Sequence, residues 1–109
     1  MAQTAKLLGQ ASPAADTPAD LYTAPADTTA VVSALFVCNT GTADTVFSVS
    51  VADGGAAEGD AQWLYRDHPV PAKRTFLVDG KVVLQAADVL RVESLSGGVA
   101  FNLFGLEVT

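Results

Sequence analysis

Apolar and polar residues alternate with period two over most of this chain, and turn residues interrupt the alternation every ~8–12 positions, the rhythm of an antiparallel sandwich or barrel. Thr29–Asn39 (TAVVSALFVCN) is apolar on both alternating sets. Val31, Leu35 and Val37 form one set; Val32, Ala34, Phe36 and Cys38 form the other. That pattern predicts a strand covered on both faces. After a turn at Asn39–Gly41, Thr45–Ala52 sets Phe47, Val49 and Val51 against Ser48 and Ser50, which predicts a half-buried strand. A glycine-rich loop follows at Asp53–Asp60, then a short aromatic strand at Gln62–Asp67 closed by Pro69 and Pro71. Arg74–Val78 and Lys81–Leu84 flank Asp79-Gly80, the signal of a hairpin with a type I′ turn. Val89–Ser94 points Leu90 and Val92 inward and Val89, Arg91 and Glu93 outward. Val99–Val108 presents Val99, Phe101 and Leu103 on one face, and its phase changes at Phe104-Gly105, which predicts a β-bulge. Lys81–Leu95 also has helical spacing at Val83, Ala87 and Leu90, but its valines and the Asp-Gly turn favour strands.

The first thirty residues differ. They are rich in Ala, Thr and Asp and hold Pro13, Pro18 and Pro25. Proline fixes φ and biases its predecessor toward extended geometry, so this stretch reads as extended backbone with short strand pieces at Lys6–Gly9 and Asp20–Thr23. Such an arm either lies across a neighbouring subunit or folds back along its own sheet edge. The expected architecture is a single all-β domain: an antiparallel β-sandwich of jelly-roll or immunoglobulin-like type, seven to eight strands at residues 19–109, preceded by an extended arm at 1–18.

With 109 residues, the chain has room for one core. No apolar run approaches the ~18 residues of a membrane helix, and no basic–apolar secretory leader opens the sequence. One cysteine (Cys38) and one histidine (His68) exclude a disulfide framework and the common zinc sites. A net charge of −6 argues against nucleic acid as a partner. The acids concentrate in the first half, where Asp16, Asp20, Asp27, Asp44, Asp53, Glu58 and Asp60 stand against Lys6 alone. They read either as solvated loops or as a surface facing a basic partner.

No catalytic constellation emerges. His68, between Asp67 and Pro69, reads as a surface-loop histidine, and Cys38, in the most apolar strand, as a small hydrophobe. Asp53, Glu58 and Asp60 do not match calcium-loop spacing. Arg66, Lys73, Arg74 and Lys81 form a modest basic group among acids. Trp63 and Tyr65, two apart, are expected on one face of their strand, where they could cap a core, anchor an interface or stack on a sugar. Neither a metal nor a cofactor is expected.

Three stretches together carry a family resemblance: KLLGQASPAADTPADLYTAPADTTAVVSALFVCNTG (Lys6–Gly41), WLYRDHPVPAKRTFLV (Trp63–Val78), and LQAADVLRVES (Leu84–Ser94) followed by FNLFGLEVT (Phe101–Thr109). In this order they resemble small virion structural proteins of tailed bacteriophages. The resemblance implies a non-enzymatic component of the phage particle, made in the bacterial cytoplasm and acting in the virion. A capsid decoration (cement) protein comes first, bound to the major capsid protein or other virion proteins, with a tail, neck or fibre component as the alternative. Particle symmetry favours a homo-oligomer, a trimer foremost. The partner-binding residues expected are Leu7 and Leu8 in the arm and Trp63 and Tyr65 as exposed aromatics, and deleting residues 1–12 is expected to spare the sandwich. A carbohydrate-binding module, resting on Trp63, Tyr65 and the acidic loop, is the rival from another class.

Overall fold

A computed structural model describes residues 2–55, 59–79 and 82–109. Among the described residues there are nine strands: β1 (Gln3–Ala11), β2 (Ala19–Thr23), β3 (Thr29–Asn39), β4 (Thr45–Ala52), β5 (Trp63–Val70), β6 (Thr75–Val78), β7 (Val82–Leu84), β8 (Val89–Ser94) and β9 (Val99–Val108). Two 3₁₀ turns, Asp53–Gly55 and Asp60–Gln62, connect β4 to β5. All pairings are antiparallel, in two sheets. Sheet A runs β1-β9-β3, with β6 and β7 sharing the far side of β3; sheet B runs β2-β8-β4-β5. The expected β-sandwich is what the chain forms: among the described residues, positions 19–109 hold eight strands, β2 to β9, and β1 comes from the expected arm.

The core lies between the sheets. Val37, Leu35, Phe101 and Leu103 come from sheet A, and Phe47, Val49, Leu90 and Val92 from sheet B; all are essentially inaccessible. At ~25 cal/mol per Å² of apolar surface removed from water, this double layer is the main stabilising term. Asn39, buried at the end of β3, donates through Nδ2 to the carbonyls of Ala43 (2.9 Å) and Val70 (3.0 Å), which ties the β3–β4 turn to β5.

The structure decides three points that the sequence left open or placed differently. Within the expected arm, residues 3–11 form β1, the outer strand of sheet A, paired with β9 from Gln3↔Val108 to Ala11↔Phe101. Of the two arm readings, the fold-back along its own sheet edge is the one adopted. Arg74–Leu84 is not a hairpin. β6 and β7 run in the same direction past one long partner, β6 opposite Leu35–Cys38 and β7 opposite Ala30–Val32. Val78 pairs with Leu35 and Val82 with Val32, so a step of four positions on this edge lies opposite a step of three on β3. Gly80 and Lys81 of the expected turn lie outside the described residues. The expected bulge exists at Phe104–Gly105, but β9 itself keeps its alternation. Its two neighbours carry the extra residue, β3 between Val32 and Ala34, and β1 between Leu7 and Gly9.

The two open sides of the sandwich are closed differently. On one, β1 crosses close to β2: a Cβ on Gly9 would sit 2.2 Å from the Leu21 carbonyl oxygen, so only glycine permits this approach. Near it the Tyr22 hydroxyl donates to Glu107 Oε2 (2.6 Å), and Lys6 Nζ pairs with Glu107 Oε1 (3.3 Å). Burial, then the hydrogen bond to Glu107, pushes the Tyr22 phenol well above its ordinary range. The same hydrogen bond, with help from Lys6, holds the Glu107 carboxyl below its usual value. On the other side, between β5 and β6, four rings fill the gap: Phe47, Tyr65, His68 and Phe76. The His68 and Phe76 centroids are 4.3 Å apart, so His68 is a packed member of the wall and not a surface-loop residue.

Candidate docking surface

The outward faces of the two sheets have opposite chemistry. On sheet B the outer face carries two ion pairs among serines and Trp63. Arg91 Nε donates to Asp20 Oδ1 at 2.6 Å, Arg66 Nη1 to Glu93 Oε1 at 3.2 Å, and the Arg66 guanidinium lies 4.3 Å from the centre of the Trp63 ring. This is a solvated ladder of exposed ion pairs. A polar dimple of about 70 Å³ opens on it, bordered by Asp16, Ser48, Arg66, Asp67 and Glu93.

Sheet A presents the reverse. Its outer face is read row by row across β1, β9, β3 and the edge that β6 and β7 share. The first row is Ala5, Leu106, Val31 and Val83. The second is Leu7, Phe104 and Ala34, and the third is Gln10, Asn102, Phe36 and Leu77. The fourth holds Ala100, Cys38 and Thr75. None of these positions is charged. Leu7, Phe36, Leu77, Val83 and Phe104 are each 40–54% exposed, far more than a sheet facing its own core would allow. At the centre, Phe36 and Phe104 pack edge to face, centroids 5.8 Å apart at 89°. Beside them a shallow groove of about 360 Å³ is lined by Phe36, Cys38, Thr75, Asn102 and Phe104. An exposed apolar face of this size is a candidate docking surface.

The bulge in β3 creates this arrangement. Ala30 and Val32 face inward, and so do Leu35 and Val37, because the extra residue between Val32 and Ala34 resets the phase. Phe36 and Cys38 therefore fall on the same side as Val31. The two apolar sets expected for Thr29–Asn39 are real, but they exchange sides halfway along.

The four residues singled out from sequence do not come together. Leu7 lies on the outer face of sheet A beside Phe104. Leu8, in the β1 bulge, turns against the core. Trp63 and Tyr65 do not share a face: Trp63 pairs with Ser50 and Tyr65 with Val49, so the intervening Leu64 is a bulge residue. Tyr65 points into the aromatic wall and Trp63 outward under Arg66. A joint stacking platform for a sugar is absent from this pair. Leu77, Val83 and Phe104 were not anticipated. The available signal was the lack of any charge on alternate positions of β9 together with the two-sided β3.

Asp88 acts in a turn. Its carboxylate accepts the backbone N–H of Gly54 and of Gln85, each at 2.9 Å, and these bonds hold its pKa below the ordinary value. Among the described residues, no group of three or more His, Cys, Asp or Glu gathers at metal-binding distance; Glu58 of the acidic loop lies outside them. In comparisons with known proteins, no family model, no curated protein and no solved structure matches this chain.

Proposed function

We propose that this chain is a structural protein of a tailed-bacteriophage particle, a capsid decoration protein that works by docking and not by catalysis. The observation that carries the reading is the charge-free apolar face of sheet A, centred on Phe36 and Phe104, on a rigid sandwich. A decoration protein has to meet other protein surfaces repeatedly over a lattice, and such a face serves protein–protein contact. The resemblance of Lys6–Gly41, Trp63–Val78, Leu84–Ser94 and Phe101–Thr109 to small virion proteins supplies the setting. Its partners in this reading are the major capsid protein or other virion proteins and further copies of itself. Binding only to the assembled shell would stabilise that shell by mass action.

Cryo-electron microscopy and quantitative mass spectrometry of particles from the phage that encodes the chain test this. Hundreds of copies spread over the shell are expected. A few copies at one vertex would move the protein to the neck or tail, and absence from purified particles would overturn the reading.

A further inference from the structure

We infer that the outer face of sheet A is the contact between two copies of this chain, related by a twofold axis near the Phe36–Phe104 pair. The inference rests on reading that face as a docking surface, and it names the occupant. Size is the first argument. Four strands at ~4.8 Å spacing, crossed by a β9 of ten residues at ~3.3 Å each, give a footprint of roughly 600 Å² before side-chain relief is counted. A standard interface takes about 800 Å² of accessible surface from each partner, so this one face is the size of half a stable dimer.

Charge is the second argument. The chain carries −6, so two copies repel through most of their surface. The outer rows of sheet A hold no charged side chain, so two copies meeting there bring no like charges into contact. Sheet B, with Asp20, Glu93, Arg66 and Arg91 outermost, would have to desolvate its ion pairs. Shape is the third. Two sheet faces of equal twist pack about 10 Å apart at a small angle, and a second copy has that twist by definition. A single continuous patch closes on itself as a pair, whereas a trimer needs two different patches on each copy.

Sedimentation equilibrium of the full chain tests this between about 1 and about 200 µM, a range that brackets the weak end for interfaces of this size. The expected mass rises to twice 11.2 kDa. Leu77→Asp and Phe104→Asp, both at exposed sites, are expected to raise the dimer dissociation constant at least about 30-fold, as for a central anchor. Leu64→Asp, an equally exposed leucine on β5, is expected to leave it unchanged. Cys38 lies on the same face, so its alkylation in the unmutated protein should slow as concentration rises. A single-chain mass throughout, a threefold mass, a dimer indifferent to both face variants, or a Cys38 rate independent of concentration would each overturn the inference. Co-sedimentation with phage particles is read separately. Failure to bind particles by an intact dimer strikes only the decoration reading.

Discussion

The Tyr22 hydroxyl, on β2, reaches across the gap between the sheets to donate to Glu107 Oε2 on β9 at 2.6 Å. A neutral donor is thereby bonded to an ionised acceptor at the rim of the core, a bond worth about 2 kcal/mol. Tyr22→Phe should lower stability by that amount at neutral pH, read from the urea midpoint. The Glu107 carboxyl sits below its ordinary value in the folded chain, so its contribution is present above the unfolded value of about 4.3 and is lost as pH falls through the folded one. The gap between wild type and Tyr22→Phe should therefore narrow below about pH 4. For Tyr22 the sign reverses: its raised pKa favours the folded state below about pH 10, and stability drops as pH climbs above that. A gap constant from pH 7 to pH 3 would show that the bond contributes nothing through charge.

Gly9→Ala should be among the most damaging single-methyl changes in the chain. The added Cβ would meet the backbone oxygen of Leu21 at 2.2 Å, which no rotamer change relieves. A loss of about 2 kcal/mol is expected, or a drop of ~10 °C in the thermal midpoint. Gly97→Ala, whose Cβ would find its nearest neighbour at 3.9 Å, should change stability by no more than ~0.5 kcal/mol, or ~3 °C in the midpoint.

Deleting residues 2–11 should not leave an intact sandwich. β1 covers one side of β9 and brings Leu8 and Ala11 against the core. Its removal exposes the β9 edge and those core contacts together, a cost of several kcal/mol by the ~2–5 kcal/mol scale of a buried leucine. Circular dichroism melting of the truncated chain should show a broadened, lowered transition. A transition at the wild-type temperature would restore the expectation that the sandwich stands without its first strand.

Phe47 and Phe36 separate core from surface. Phe47 is fully buried and touches the rings of Tyr65, His68, Phe76 and Phe101, whereas Phe36 is 40% exposed. Phe47→Ala should cost about 4 kcal/mol. Phe36→Ala, measured in dilute solution, should cost about 1 kcal/mol or less. Equal losses would mean that the sheet A face is covered within one chain.

Much of the fold was readable because it is written locally. The spans of β3, β4, β8 and β9 follow from period-two patterning and turn residues. What was not readable depends on distant partners. Nothing in the polar strand Gln3–Ala11 says that its mate lies at Phe101–Val108. Asp79-Gly80 between apolar runs fits a hairpin, and equally an interruption in an edge strand; only the length of β3, eleven residues, lets both pieces pair with it. The bulges at Leu7–Gly9, Val32–Ala34 and Trp63–Tyr65 reverse side-chain parity without any marked sequence signal. That is why Trp63 and Tyr65 were paired in error, and why the apolar face was sensed on β3 but not delimited.

β9 sits between β1 and β3, so the strand nearest one terminus is seated by the strand nearest the other. Lys6 and Glu107 are 101 positions apart when they meet. Half of the sandwich thus has no local precursor. β1 and β3 must wait, unzipped, for a segment that arrives from far along the polypeptide. Such non-local assembly places folding in the slow, millisecond-to-second regime and makes sheet A an all-or-nothing event.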